Sequence, residues 1–140
     1  MPLKGHQSIC RPKEATIVSK DRKSAVKHIA HNREASDVSH YRIDGEVIKE
    51  GSRCDYLLLN ETKKDAYFIE LKGSDISHAL EQLDETAKKL SSELAGYTLY
   101  FRIVANRINT QAIRDTKYHR YQKKWQGRLQ KKTTCMEEDI

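Results

Sequence analysis

Two short apolar segments in the middle of the chain, each with an acidic residue at one end, constrain its fold more than any other feature. Asp55 precedes the first segment, residues 56–59, and Glu70 follows the second, residues 66–69. The linker between them is short and polar, which is typical of two antiparallel strands joined in a hairpin. Antiparallel pairing places Asp55 beside Glu70 and Lys72, because side chains two positions apart point to the same face of a strand. Two carboxylates and an ammonium group at one edge of a sheet indicate a site for a divalent metal ion and a phosphate.

This arrangement, an Asp before one strand and Glu-x-Lys at the end of the next, resembles the signature of the PD-(D/E)xK nuclease superfamily. That group includes restriction enzymes, phage exonucleases and Holliday-junction resolvases. The resemblance covers about residues 42–104, and Cys54 stands where many members have a proline. It implies that Asp55, Glu70 and Lys72 are catalytic residues. The implied activity is that of an endonuclease or resolvase-like deoxyribonuclease that uses Mg²⁺, with Mn²⁺ able to replace it.

The resemblance also implies roles for the residues around this set. The carboxylates of Asp55 and Glu70 would hold the metal ion, together with the backbone carbonyl of Leu71. Glu46 is either a third acidic ligand or an exposed strand residue, and the sequence leaves both interpretations open. Lys72 would orient the attacking water and stabilise negative charge on the phosphate. We expect three nearby residues to contact the catalytic residues or the substrate: Ser74, His78 and Gln82. The alternative is that they are ordinary solvent-facing residues.

Hydrophobic periodicity predicts the elements around the hairpin. Apolar residues at steps of three and four from Ile76 to Leu94 predict an amphipathic helix, whose N-terminal N–H groups could assist in binding phosphate. Residues 97–104 alternate as a strand, which should return parallel to the strand before the helix through a right-handed crossover. The remaining predicted elements are a helix over residues 20–35, a strand over 41–48, a helix over 110–126 and an edge strand over 128–134. Within the range 41–48, Asp44-Gly45 is alternatively a turn or bulge.

Together these elements predict a single α/β domain over residues 1–140. Its core would be a central mixed sheet of four to five strands flanked by helices, in the order α-β-β-β-α-β, followed by a C-terminal helix and a short edge strand. Residues 1–16 are expected to form a flexible arm and residues 133–140 an acidic, solvated tail. The late helix carries three aromatic residues at steps of three and four, Tyr118, Tyr121 and Trp125. This spacing predicts that they face the core, with a platform for base stacking as the alternative.

Basic residues are concentrated on either side of an acidic centre. Residues 102–132 carry ten Lys and Arg and one acid, whereas residues 43–101 carry seven bases and twelve acids. Central metal ligands with cationic flanks suit a nuclease, because the cations attract the phosphate backbone. A basic solvated surface is the alternative. The residues that we expect to contact nucleic acid are Arg102, Arg107, Arg114, Lys117, Arg120, Lys123, Lys124 and Arg128.

Composition argues against several other classes of protein. No stretch approaches the roughly 20 apolar residues of a membrane-spanning helix, and the first residues lack the apolar core of a signal peptide. Cys10, Cys54 and Cys135 are widely spaced and are expected to be free thiols in a cytoplasmic protein. The chain has no P-loop, dinucleotide-binding glycine motif, zinc-protease motif or nucleophile elbow.

The sequence leaves two other functions open. One is a non-catalytic nucleic-acid-binding module on the same fold, and the other is a small phage-type inhibitor that binds a host protein. The complete Asp and Glu-x-Lys set favours the enzyme, because a binding module has no need of it. A homodimer is also expected, since a chain of 140 residues offers little surface with which to hold a duplex.

Overall fold

The computed structural model describes residues 3–49, 51, 53–72, 75–108 and 116–140, and the side chain of Lys72 lies outside the described part. The described residues form eight strands and two helices. In chain order these are β1 (Thr16–Lys20), β2 (Lys27–His31), β3 (Val38–Arg42), β4 (Tyr56–Asn60), β5 (Asp65–Lys72), α1 (Ile76–Lys89), β6 (Thr98–Ala105), α2 (Thr116–Lys124), β7 (Leu129–Thr133) and β8 (Cys135–Asp139).

The strands form two mixed sheets. The larger sheet has the order β3-β4-β5-β6-β7, in which β3, β4 and β5 are antiparallel neighbours and β5, β6 and β7 are parallel. The smaller sheet has the order β1-β2-β8, with β1 antiparallel and β8 parallel to β2. The predicted α/β class and the mixed sheet are therefore confirmed, although the element order differs at both chain ends.

Helix α1 covers one face of the five-stranded sheet with the apolar stripe that its sequence predicts. Ile76 and Leu80 are at most 3% exposed and belong to the same core as Phe68 of β5. Burying a side chain of this size contributes about 1.5–3 kcal/mol. The carboxylate of Asp75 caps the helix by accepting the backbone N–H of His78 at 3.0 Å. The helix therefore begins where predicted, directly after the Glu-x-Lys strand.

The three-stranded sheet covers the opposite face, where the sequence predicts a helix. Ile17 of β1, Ala30 of β2 and Met136 of β8 pack against Leu58 and Ile69 of the larger sheet. The five-stranded sheet is therefore buried on both faces, which explains why β4 and β5 are nearly continuous apolar runs.

The predicted helix over residues 20–35 is wrong, because β2 lies within this range and pairs with β1. Burial alternates along β2, with His28 and Ala30 in the interior, so the period is that of a strand. Asp21 closes the turn between the two strands. Its carboxylate accepts the N–H of Lys23 at 3.2 Å, which is a local bond that competes with helix formation.

Both chain ends pack onto the domain. Leu3 is fully buried in the main core, so the described part of residues 1–16 is not a detached arm. The predicted solvated tail over residues 133–140 is also wrong, because it contains β8. Met136 and Ile140 are 3% and 5% exposed. Their side chains pack between the two sheets and hold β8 in place.

A buried polar cluster joins β8 to the larger sheet. The carboxylate of Glu138 accepts hydrogen bonds from His28 Nε2 at 2.7 Å and from Arg102 Nε at 2.8 Å. The Arg102 guanidinium also lies 5.5 Å from the ring centroids of Tyr67 and Tyr100. Burial alone would raise the pKa of Glu138, but the bonds from His28 and Arg102 outweigh it and lower that pKa. Glu138 of the acidic tail is therefore tied into the fold, whereas Glu137 and Asp139 are exposed.

Strand β3 begins before the predicted range of 41–48 and ends at Arg42. The following residues turn back, since the carbonyl of Ile43 accepts the N–H of Ile48 at 3.0 Å. Gly45 has φ 82° in this turn, a left-handed conformation that glycine adopts without strain. The second half of the predicted strand is therefore a turn.

The aromatic stripe of the late helix is a core face, as its spacing predicts. The ring centroid of Trp125 lies 3.7 Å from that of Phe101, and Tyr118 is 4% exposed. The first residues of the helix predicted over 110–126 lie outside the described residues, and α2 is described from Thr116. Neither described helix has the length and apolar character needed to cross a bilayer.

Candidate functional site

The two carboxylates predicted to bind metal lie at neighbouring strand ends. The antiparallel ladder ends where Tyr56 of β4 is opposite Ile69 of β5, so Asp55 and Glu70 are the next residues along the two chains. The N–H of Asp55 still donates to β5, at 3.2 Å from the carbonyl of Ile69. Asp55 Oδ2 also accepts the N–H of Leu71 at 2.8 Å. The Asp55 carboxylate therefore lies against the peptide group that follows Glu70.

The two acids differ in exposure, and both affect the pKa of the neighbouring Cys54 thiol. Glu70 is 1% exposed, whereas Asp55 is half-buried and lines a cleft. Burial raises the pKa of the Cys54 thiol well above its usual range, and the Glu70 and Asp55 carboxylates raise it further. Both carboxylates therefore lie close enough to the Cys54 thiol to act on it.

Helix α1 fixes the backbone that leads into Asp55. Thr86 Oγ1 accepts the N–H of Cys54 at 2.8 Å, and Gln82 Nε2 donates to the carbonyl of Arg53 at 3.0 Å. Because Gln82 and Thr86 are four positions apart, they lie on the same face of the helix. The predicted contact from Gln82 is thus made to the backbone beside the site. Its Oε1 atom is buried and has no hydrogen-bond partner among the described residues.

Two other predicted residues lie at the same end of the sheet. Lys72 is the last residue of β5 and pairs with Ala105 of β6, while its side chain lies outside the described part. Ser74, another residue predicted to contribute to the site, lies outside the described residues. Leu71 is 7% exposed and lines the same cleft as Asp55. The backbone of the Glu-x-Lys segment is therefore at the predicted position.

Glu46 and His78 are not assembled with the two acids. Glu46 lies in the exposed turn after β3 and lines a separate recess with His6 and Gln7. This position favours the interpretation of Glu46 as an exposed residue. His78 is exposed in the first turn of α1, with its Nδ1 atom 4.0 Å from Glu81.

The donor set fits Mg²⁺ better than a metal that needs a closed protein site. Among the described residues, no group of three or more His, Cys, Asp or Glu side chains is placed to hold a metal ion. Mg²⁺ commonly retains several waters and uses one or two carboxylates together with substrate phosphate. Asp55 and Glu70 supply two such carboxylates, whereas a structural zinc site requires four ligands.

A cleft of about 290 Å³ opens beside Asp55, between the two sheets. One wall is the end of β1 and the turn that follows it, and the other is formed by the ends of β3, β4 and β5. Its basic lining residues are Lys20, Arg22, Lys23 and Arg42. The role of these cations is not evident from the sequence, because a helix is expected over residues 20–35 where the structure has the turn that brings three of them to the site.

Several C-terminal cations expected to contact nucleic acid stabilise the fold instead. Arg102 is 4% exposed and paired with Glu138, so the expected phosphate contact is corrected. Arg128 Nε donates to the carbonyl of Leu99 at 2.8 Å. These bonds tie β6 to its neighbours in the fold.

Two further cations connect the helices. Lys117 donates to Glu81 of α1, and this hydrogen bond is the main cause that lowers the pKa of Glu81. Lys124 Nζ lies 3.0 Å from Asp84 Oδ1. Of the remaining predicted contacts, Arg114 lies outside the described residues, while the exposed positions are Arg107, Arg120 and Lys123.

Comparison with known proteins gives no family assignment. No family model, no curated protein and no solved structure matches the chain.

Proposed function

We propose that the chain is a Mg²⁺-dependent nuclease that hydrolyses phosphodiester bonds in nucleic acid, with DNA as the first substrate to test. The observation that supports it most is that Asp55 and Glu70 lie at neighbouring ends of β4 and β5. There the Asp55 carboxylate accepts the N–H of Leu71, and a cation-lined cleft opens beside it. This is where a metal ion and a phosphate would both be attracted.

Each residue has a distinct role in the proposal. Asp55 and Glu70 hold the metal ion, together with the carbonyl of Leu71. A bound Mg²⁺ supplies charge neutralisation at the phosphate and lowers the pKa of a coordinated water. Lys72 follows Glu70 by two positions and stabilises negative charge on the phosphate. Thr86 and Gln82 are positioning residues, because they hold the backbone of Arg53 and Cys54.

The second candidate is a nucleic-acid-binding module without catalysis. It is favoured by the absence, among the described residues, of any group of three or more His, Cys, Asp or Glu side chains placed to hold a metal ion. Such a module would bind nucleic acid equally well in EDTA and would leave it uncut, with an affinity that falls as salt rises. A homodimer is a separate proposal, which light scattering with and without DNA can test.

The proposal is tested by incubating the purified chain with labelled single-stranded, duplex and branched DNA in Mg²⁺, Mn²⁺ or EDTA. We expect cleavage with either metal ion and none in EDTA. Lys72→Ala should abolish cleavage while leaving the thermal unfolding midpoint and metal binding largely unchanged. Asp55→Ala should remove the metal-dependent activity. A wild-type protein that cuts none of these DNA substrates, nor a single-stranded or duplex RNA, would rule the nuclease out.

A further inference from the structure

The turn between β1 and β2 projects positive charge into the cleft beside Asp55. Lys20 is the last residue of β1, and its carbonyl accepts the hydroxyl of Tyr56 at 3.0 Å. This bond fixes the start of the turn against β4. Arg22 and Lys23 follow in the turn, and both are exposed. The turn therefore places three cations next to one of the two catalytic carboxylates.

Arg42 completes the opposite wall of the cleft. Its guanidinium lies 5.5 Å from the ring centroid of Tyr56 and donates to the Tyr56 hydroxyl at 3.2 Å. An arginine fixed on an aromatic ring presents its remaining N–H groups in a defined plane, which suits a phosphate. Arg42 is thus a fixed cation that faces two exposed side chains, Arg22 and Lys23.

All three acids in the cleft accept bonds from the protein itself, Asp55 from the N–H of Leu71. Asp21 accepts hydrogen bonds from the N–H of Lys23 and the hydroxyl of Ser24, and Asp44 is paired with Arg53 at 2.6 Å. By contrast, no ion pair within the described chain involves the cleft cations Lys20, Arg22, Lys23 or Arg42. The cleft therefore has an excess of positive charge directed at solvent.

We propose that this cleft binds the phosphate backbone of a nucleic-acid strand and leads it to Asp55. The binding step stands on the cleft alone, whereas the fate of the strand at Asp55 rests on the proposed nuclease function. Lys20, Arg22 and Lys23 contact consecutive phosphates along one wall, and Arg42 contacts the phosphate nearest the carboxylates. Because phosphate contacts carry no sequence information, the cleft binds strands without regard to base sequence.

The alternative binding surface is the outer side of α2. This helix packs on α1, on the other face of the five-stranded sheet. Its Lys117 and Lys124 side chains are paired with acids of α1, which leaves Arg120 and Lys123 as exposed cations. A substitution that removes two charges from each surface therefore gives a matched comparison.

The test measures fluorescence anisotropy of a labelled oligodeoxythymidylate and of a labelled mixed-sequence duplex in EDTA, where no metal-dependent cleavage occurs. The variants are Arg22→Ala/Lys23→Ala in the cleft and Arg120→Ala/Lys123→Ala on α2. Releasing counterions from two phosphates contributes about tenfold to a hundredfold in affinity near 0.1 M salt. We expect the cleft variant to lose affinity by that factor and to lower the salt-dependence slope by about 1.8. The α2 variant should change affinity by less than about twofold, a change that corresponds to less than half a kcal/mol.

Several results would overturn the proposal. Equal losses in the two variants would indicate diffuse attraction to a basic protein, and an unchanged cleft variant would place binding elsewhere. Competition by a deoxynucleoside monophosphate at the oligonucleotide's own concentration would reassign the cleft to a small phosphate ligand. Thermal unfolding of both variants serves as the folding control, and we expect wild-type midpoints because both pairs of side chains are exposed.

The same samples separate this inference from the proposed function when Mg²⁺ is added. Loss of binding in the cleft variant without any cleavage by the wild type would contradict the nuclease and leave the binding cleft in place. Cleavage by the wild type with unchanged binding in the cleft variant would contradict the cleft and leave the nuclease in place.

Discussion

Replacing Thr86 by valine removes one of the two bonds with which α1 holds the backbone before Asp55. Thr86 is fully buried, and its Oγ1 atom accepts the N–H of Cys54 at 2.8 Å. Valine has the same shape without the hydroxyl, so the N–H of Cys54 would lose its partner in a buried environment. Leaving a buried backbone donor unsatisfied costs about 1–3 kcal/mol. We therefore expect Thr86→Val to lower the free energy of unfolding by about 2 kcal/mol.

The same Thr86→Val change should also lower the cleavage rate of the protein that remains folded. If the backbone at Cys54 shifts by about 1 Å, Asp55 shifts with it, and a misplacement of this size can lower the rate about a hundredfold. Urea denaturation measures the stability, cleavage under saturating Mg²⁺ measures the rate, and amide hydrogen exchange reports whether the N–H of Cys54 has become accessible.

Thr86→Ser is the matched control, because it keeps the hydroxyl and removes one methyl group. It should lose about 1 kcal/mol of stability while retaining the protected amide of Cys54 and a near wild-type cleavage rate. The reasoning would be refuted by a Thr86→Val protein that cuts as fast as Thr86→Ser and keeps the Cys54 amide protected.

Two further predictions concern the polar layer between the sheets. Burial lowers the pKa of His40 to about 4, with His28 and Arg42 adding to the effect. An unfolded histidine has a pKa of about 6.5, so stability is full above about pH 6.5 and should fall by about 1.4 kcal/mol per pH unit down to about pH 4. Urea titrations across this range should show that slope in the wild type and a flatter profile in His40→Gln; equal slopes would contradict it. Glu138→Gln should cost about 3 kcal/mol, because it leaves the guanidinium bonded to it buried without a counter-ion. Exposed Glu137→Gln should change stability by less than about 0.5 kcal/mol in the same denaturation series, and equal losses would refute the buried-pair argument.

The centre of the fold could be predicted because its local signals agree with one another. The apolar runs of β4 and β5, the short polar linker and the stripe of α1 each satisfy a single periodicity. Antiparallel pairing then brings the backbone positions of Asp55 and Glu70 close together, since they stand at adjoining ends of the two runs. The relation between the two acids thus follows from local patterns alone.

The N-terminal sheet could not be predicted, because its period is hidden by polar residues that are buried. Ser19 of β1 and His28 of β2 are buried polar residues. Apolar residues at these positions would have given the alternating pattern that indicates strands. Ser19 and His28 are tolerated there because their partners lie far away in the chain. Ser19 Oγ is 2.9 Å from His40 Nε2, and His28 is bonded to Glu138. These long-range partners cannot be identified from local spacing.

The same effect explains the misassigned cations. Arg102 alternates with apolar neighbours along β6, so the sequence suggests an outward-facing basic residue. The structure places it between two sheets because β8 supplies Glu138 as its counter-ion. Net charge over a segment therefore overestimated the C-terminal basic surface, and the position of the β1–β2 turn decided which cations reach the site.

Mn²⁺ binding, followed by electron paramagnetic resonance in the presence of a DNA oligonucleotide, tests most directly whether Asp55 and Glu70 form a metal site. We expect one bound Mn²⁺ in the wild type, a loss of at least tenfold in affinity in Asp55→Asn and Glu70→Gln, and no change in Glu46→Gln. Mn²⁺ binding that is absent from the wild type, or that survives both substitutions unaltered, would contradict the account.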